Sequence, residues 1–320
     1  PVGSISEVAM GERKAWLVLH GRQATNEELR AAVLARRKAG WEIAVRLTWE
    51  AGDARRLVEE GLAAGYPTLV AGGGDGTLRE VAEAMALAGT DASLAILPLG
   101  TANDFARAAG VPLSPAEALA LLEVAPSPVD LGEADGQLFL NMATGGFGSR
   151  VTASTPEELK KALGGAAYLL TGLTRFPELG ASFGRFRGPG FRWEGEFLAL
   201  GIGNGRQAGG GNLLCPEALV DDGLLDLCIV PAPEDAGSPL STLGTLISLR
   251  ILGVETISIG ARLPWVEIEV PEGLDLNLDG EPANSQALRF SVRAGALRMH
   301  LPPDSPLLRG NAGPAIAGSR

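Results

Sequence analysis

Thr68 to Ala71 is a short apolar run that opens without a spacer into Gly72-Gly73-Gly74-Asp75-Gly76-Thr77, after which Leu78 to Leu87 has helical spacing. A buried strand, a glycine loop and a helix in that order confine this part of the chain to an α/β fold. The loop's amides then converge beside a helix N-terminus. Such an end favours an anion by roughly 0.3 to 2 kcal/mol. Residues without side chains let a phosphate approach the backbone, and Thr77 adds a hydroxyl donor. A nucleotide phosphate is the natural occupant. Asp75 would repel a phosphate that it touched, so it either orients the loop or reaches a magnesium ion. The stretch matches neither GxxxxGK(S/T) nor the spaced GxGxxG fingerprint. A tight glycine turn without a ligand is the plain alternative.

The residues around this loop alternate strand and helix. Ala15 to His20 and Trp41 to Leu47 have strand patterns. A helix is expected over Asn26 to Ala39, with Thr25 and Glu28 as a capping box and Gly40 as its stop; another is expected over Asp53 to Ala64. Leu94 to Leu97 is a further strand, and Pro98 to Asp104 forms a second loop entering a helix. This alternation predicts right-handed crossovers and a mainly parallel sheet, with both loops leaving strand C-termini, where open α/β sheets bind ligands. Thr101, Asn103 and Asp104 are the polar groups of the second loop. Asn103 or Asp104 acting only as a helix cap is the bland reading.

From Val129 the pattern changes to short alternating strands with turn signals. Asp135-Gly136 divides Val129 to Ala134 from Gln137 to Ala143. Pro156 to Thr174 and Ser241 to Leu252 read as helices, and strands are expected at Trp265 to Val270, Leu274 to Leu278, Leu288 to Val292 and Leu297 to Leu301. A chain of 320 residues exceeds the size at which one core stops growing. Two domains are therefore expected: 1–128 as a nucleotide-binding α/β domain and 129–301 as an antiparallel β domain, with a cleft between them. Gly201 to Gly211 lacks a following helix, which removes the dipole argument. It reads as lining, with Asn204 and Arg206 as substrate contacts. Asp279-Gly280 is an ordinary turn dipeptide, but Glu281 beside it is a carboxylate able to accept a proton from an attacking alcohol.

The balance of 27 Lys and Arg against 38 Asp and Glu gives a net charge of -11, which opposes wrapping around nucleic acid. Two cysteines and two histidines do not supply the four ligands of a structural zinc site, and the absence of a disulfide framework fits a reducing cytoplasm. No apolar run has the length or flanks of a signal peptide or a bilayer span. Any membrane contact is therefore expected to be peripheral, at the inner face. Between Arg150 and Arg206 eight basic residues face five acidic ones, a small excess suited to anionic headgroups. No coiled-coil repeat speaks for a homodimer, although association through the β domain is open.

Five ordered stretches carry a resemblance. They are Gly72 to Thr77, Pro98 to Arg107, Asn141 to Gly148, Gly201 to Gly211 and Leu278 to Pro282. Together they resemble the diacylglycerol kinase catalytic superfamily, and are most similar to the bacterial YegS-like lipid kinases, over about Trp16 to Arg309. The resemblance implies a first domain similar to those of NAD kinases and phosphofructokinases, a β-sandwich second domain, ATP with magnesium, and a final segment, 302–320, that packs back on the first domain. It implies nucleotide contacts at Thr48, Gly74, Asp75, Gly76, Thr77, Leu78, Arg79, Glu80 and Thr101. Glu281 matches the proton acceptor, with Asp279 as its partner or a magnesium contact. Leu219, Asp222 and Leu224 match a secondary metal site of two carbonyls and one carboxylate, a donor set suited to magnesium or calcium.

The expected activity is transfer of the γ-phosphate of ATP to a hydroxyl of a glycerolipid such as phosphatidylglycerol or diacylglycerol. The rivals are a kinase of a soluble acceptor such as NAD and a non-catalytic nucleotide sensor docked on membranes.

Overall fold

Residues 13–146, 181–232 and 258–311 are described by the structure, a computed structural model. The chain divides into two units, one containing 13–129 with Ala296–Ser305 and the other containing the described residues of 130–295 with 306–311.

In the first unit β1 (Lys14–His20), β2 (Glu42–Thr48), β3 (Thr68–Gly73) and β4 (Ser93–Pro98) form a parallel sheet in the order β4-β3-β1-β2. Every residue of β3 and β4 is buried, which is why both read as unbroken apolar runs. Edge strand β2 is instead fully buried only at Ile43, and its Arg46 guanidinium stacks 4.3 Å from the ring centroid of Trp16. The crossovers are α1 (Glu27–Lys38), α2 (Asp53–Ala63) and α3 (Asp75–Ala88), followed by the short α4 (Asp104–Ala108) and α5 (Pro115–Ala120).

Two helix starts differ from expectation. Asn26, not Thr25, caps α1, its Oδ1 accepting from Leu29 N at 3.1 Å. The cap has slipped one residue because Gln23 Oε1 also accepts from Asn26 Nδ2 at 3.1 Å and holds that side chain in place. Helix α3 begins at Asp75, inside the glycine stretch, rather than at Leu78. Low helix propensity at Gly76 hides the first turn from a reading of pattern.

In the second unit β5 (Ser127–Ala134) turns into β6 (Gln137–Phe139) through Asp135 and Gly136, both at positive φ. Then come β7 (Met142–Gly146), β8 (Ser182–Gly188), β9 (Phe191–Gly203), the small hairpin β10 (Gln207–Ala208) with β11 (Asn212–Leu213), β12 (Leu225–Pro231), β13 (Ile259–Leu263), β14 (Trp265–Leu278) and β15 (Glu281–Met299). Pairing runs β13-β12-β9-β7-β14-β15, with β8 bridging β9 and β14 and with β5 on β15. The core is aromatic: Phe186 meets Phe197 edge-on at 5.5 Å, and Phe139 meets Phe290 at 6.3 Å.

Two pairs of expected strands merge. Trp265 to Val270 and Leu274 to Leu278 are one strand whose register jumps between Glu269 and Leu274, where Gly273 takes a φ of 85°. Leu288 to Val292 and Leu297 to Leu301 lie on the single long strand β15 or just past its end at Met299. Conversely Gln137 to Ala143, expected as one strand, breaks at Leu140 and Asn141. The helices expected at Pro156 to Thr174 and Ser241 to Leu252 fall outside the described residues.

The return to the first unit also differs from expectation. Residues 296–305 join it, whereas 306–311 stay with the second unit, where Val220 N donates to Leu307 O at 2.9 Å and Arg309 N donates to Asp221 Oδ1 at 2.7 Å. The return begins within β15 because Arg298 and Met299 pair in parallel with Ser93 and Leu94 of β4. His300 then locks it: its N donates to Leu94 O at 2.9 Å, Nδ1 lies 2.7 Å from Val124 O, and Nε2 lies 2.8 Å from Ser93 Oγ. A carbonyl at Nδ1 requires the proton there, so in the neutral ring Nε2 is the acceptor that faces the serine hydroxyl.

Burial, against hydrogen bonds to backbone carbonyls, pulls the His300 pKa below its ordinary 6.5. The folded state therefore binds fewer protons than the unfolded one, and this contribution to stability is complete above pH 6.5 and is lost as pH falls below it and through the lowered folded pKa. Urea denaturation of the wild type is expected to show this acid-side loss. His300→Gln is expected to flatten it while lowering stability at pH 8 by about 1 to 3 kcal/mol.

Candidate active site

The C-terminal ends of the parallel strands lie along one edge of the first unit, as the pairs His20 with Thr48, Leu19 with Gly72 and Gly73 with Pro98 require. The two loops leaving β3 and β4 touch backbone to backbone. Leu99 N donates to Gly73 O at 2.8 Å, and a Cβ on Gly100 would stand 2.5 Å from the Cα of Gly74. Asp75 Oδ1 accepts from Phe105 N at 3.3 Å, which ties the start of α3 to α4. Gln23, which the sequence pattern did not single out, donates through Nε2 to Leu99 O at 2.9 Å.

Asn103 stands at the N-cap position of α4 but makes no side-chain cap. Buried and at a φ of 51°, it closes its own loop: Oδ1 accepts from Gly100 N at 2.9 Å and Nδ2 donates to Gly100 O at 2.8 Å. Asp104 is buried as the first residue of α4, and Thr101 is exposed on the loop between them.

No side chain caps α3 at Gly74, so the amides of its first turn are presented to the edge. Gly76 has no atom within 4 Å of where a Cβ would lie and does not take positive φ, so neither packing nor backbone demands glycine there. Open space at an uncapped helix start fits an approaching anion. The side chains that follow turn elsewhere. Thr77 is buried against Gly73, whose Cβ would fall 2.3 Å from Thr77 Oγ1; Leu78 is in the core; and Arg79 pairs with Glu83 at 3.2 Å. Glu80 is exposed on the helix, and Thr48 is half-buried at the end of β2 with its carbonyl against Gly21.

Burial, reinforced by the charge of Asp104, raises the Asp75 carboxyl above its ordinary 3.8. The two neighbouring acids repel one another, a strain that a divalent cation would relieve.

In the second unit, β14 and β15 are joined by a two-residue turn. Leu278 pairs with Glu281, while Asp279 and Gly280 take φ values of 49° and 102°. The Asp279 carboxylate accepts from Leu140 N at 2.6 Å, Asn141 N at 3.1 Å and Met142 N at 2.7 Å. These three bonds explain the break between β6 and β7. Positive φ at both turn residues ends the alternation, so Asp279 turns to the amides and Glu281 stands exposed at the start of β15.

Residues 14–134 match the family model for the diacylglycerol kinase catalytic domain, and residues 142–301 match that for the YegS C-terminal NAD kinase beta sandwich-like domain. The chain belongs to the YegS-like lipid kinase family. A Pseudomonas aeruginosa (strain PAO1) protein named "Probable lipid kinase YegS-like" is 69% identical over 300 residues, covering 94% of this chain and 98% of its own. One of the same name from Pseudomonas fluorescens (strain Pf-5) is 66% identical over 303 residues, covering 94% and 99%. A solved structure of a diacylglycerol kinase-like protein from Bacillus anthracis str. Sterne aligns with a TM-score of 0.76 at 27% identity, covering 91% of this chain and 96% of that one.

Two residues of this YegS-like chain expected at the substrate serve as struts within the second unit. Asn204 is fully buried, its Nδ2 donating to Asp130 O at 2.9 Å and Leu140 O at 2.6 Å. Arg206 spends Nε on Ala218 O at 2.9 Å and Nη2 on Pro306 O at 2.7 Å. Polar residues in a glycine-rich stretch read as contacts from sequence, but here they satisfy carbonyls where strands end.

The family's secondary metal positions, Leu219, Asp222 and Leu224, lie on the turn before β12. Asp222 Oδ1 accepts from Leu224 N at 3.0 Å, and Oδ2 is engaged by Nη2 of Arg262. Both carboxylate oxygens thus already have N–H partners, and the arrangement does not fit a metal ligated by Asp222. Among the described residues no group of three or more His, Cys, Asp or Glu side chains is set to hold a metal ion.

Gly100→Ala is expected to force the two loops apart and weaken binding of a fluorescent ATP analogue at least tenfold, since close-packed overlap costs about 1 to 3 kcal/mol. Asp279→Asn replaces an acceptor of three amides. We expect denaturation to show a loss of about 1.5 to 3 kcal/mol with nucleotide affinity unchanged.

Proposed function

We propose that the chain is an ATP-dependent lipid kinase that phosphorylates a hydroxyl of a glycerolipid, of the phosphatidylglycerol or diacylglycerol type. The observation that carries this reading is the uncapped start of α3, held open by the contact of Gly74 with Gly100 and left without side chains at Gly76. The amides of residues 75–77 bind and orient the β- and γ-phosphates, while Thr48 and Thr101 flank the nucleotide along the same sheet edge. Asp75 would lie beside the accompanying divalent ion, whose chemistry when bound would be to neutralise phosphate charge as the transition state spreads it over the γ-oxygens. Glu281 accepts the proton of the acceptor hydroxyl. The new bond joins that oxygen to the γ-phosphorus, the bond from the γ-phosphorus to the bridging oxygen breaks, and ADP leaves.

Lipid as the acceptor is supported by the names of the relatives. Among the described residues no helix is long and apolar enough to cross a membrane, and the reading is of peripheral approach to a bilayer. The test is γ-labelled ATP offered with vesicles of phosphatidylglycerol, vesicles containing diacylglycerol, and soluble NAD. Transfer is expected only in the vesicle arms. Glu281→Gln is expected to lower it by about 10²- to 10⁴-fold while retaining ATP binding. Transfer to NAD without vesicles, or full activity in the variant, would overturn the assignment.

A further inference from the structure

We propose that Arg262 is a built-in cation standing where the family pattern puts a secondary divalent metal, so that this chain fastens the 219–224 turn with a guanidinium instead. The placement is set by the sheet. Arg262 on β13 is the cross-strand partner of Asp226 on β12, and its Nε lies 3.4 Å from Asp226 Oδ2 while Nη2 engages Asp222 Oδ2. The two acid side chains are only 6% and 9% exposed, so each needs a counter-charge at hand. A planar guanidinium supplies one charge and several donors in the fork geometry that carboxylates match.

The amides of the turn are committed as well. The Leu224 amide is turned onto Asp222 Oδ1, and the neighbouring Asp130 accepts from Gly223 N and Gly295 N at 2.7 Å each. A second guanidinium, Arg206, holds the turn at Ala218 O. A divalent ion would have to displace Arg262 and enter beside two fixed positive charges. The site therefore closes without metal, and its geometry does not depend on the divalent cation supply.

The test is calorimetric titration of Ca²⁺ and of Mg²⁺ into the full chain, with neither ATP nor lipid present, so that its outcome is independent of the kinase reading. Wild type and Asp222→Asn are expected to give the same result, meaning no binding that depends on Asp222. Arg262→Gln is expected to melt ~4 °C lower or more. It is also expected to gain an Asp222-dependent Ca²⁺ site at least tenfold tighter than any in the wild type, with Ca²⁺ restoring the melting temperature. Arg262→Lys, which keeps the charge, is expected to exclude the ion as the wild type does. Asp222-dependent binding in the wild type equal to that of Arg262→Gln overturns the proposal, and so does a variant that gains no site. If Arg262→Gln does not fold without metal, failure of millimolar Ca²⁺ to recover it overturns the proposal too.

Discussion

Gly74 and Gly100 can approach because neither has a side chain, and the two loops leaving β3 and β4 depend on that approach. With the Leu99 to Gly73 hydrogen bond beneath it, the contact makes two loops from two crossovers behave as one rigid surface. Asn103 braces one loop from within, and Asp75 reaches across to the amide of Phe105. The floor is packed by Thr77 and Leu78, so the open side consists of backbone. A surface of fixed amides binds an anion without first having to reorganise, which is the physical basis of strong phosphate recognition.

The parallel strands were legible because burial on both faces leaves β3 and β4 as continuous apolar runs between glycines. The start of α3 was not, since its first turn contains Gly76, a weak helix former, and the stabilising element there is tertiary. Asn103 shows a different limit. The residue type that caps a helix is the same one that clamps a tight loop, and only the left-handed backbone separates the two. Asp279-Gly280 was visible as a turn dipeptide, but its amide partners lie 137 to 139 positions away, where no local pattern reaches. Arg262 was hidden likewise, 40 positions from Asp222 and brought to it by strand pairing alone.

The acids of the second unit divide by what they face. Asp130 and Asp279 are each turned inward onto backbone amides at places where strands end, doing there what a ladder does elsewhere. Asp222 and Asp226 face a guanidinium, at a cost: burial raises Asp226 to about 6 despite the arginine. Glu281, by contrast, stands exposed at the start of β15. Part of the net charge of -11 is thus scaffolding, and counting carboxylates in a sequence overstates how many meet solvent or substrate.

The parallel pairing of Arg298 and Met299 with β4 means that the first unit is completed by residues from near the other end of the chain. During synthesis β1 to β4 emerge early, but Ser93, Leu94 and Val124 must wait for His300 before their hydrogen bonds close. An unfinished strand edge is exposed throughout that interval, which is the condition under which nascent chains pair wrongly with one another. Closing that edge therefore waits for Arg298 and Met299, and a ribosome stalled before them leaves the first unit open at β4.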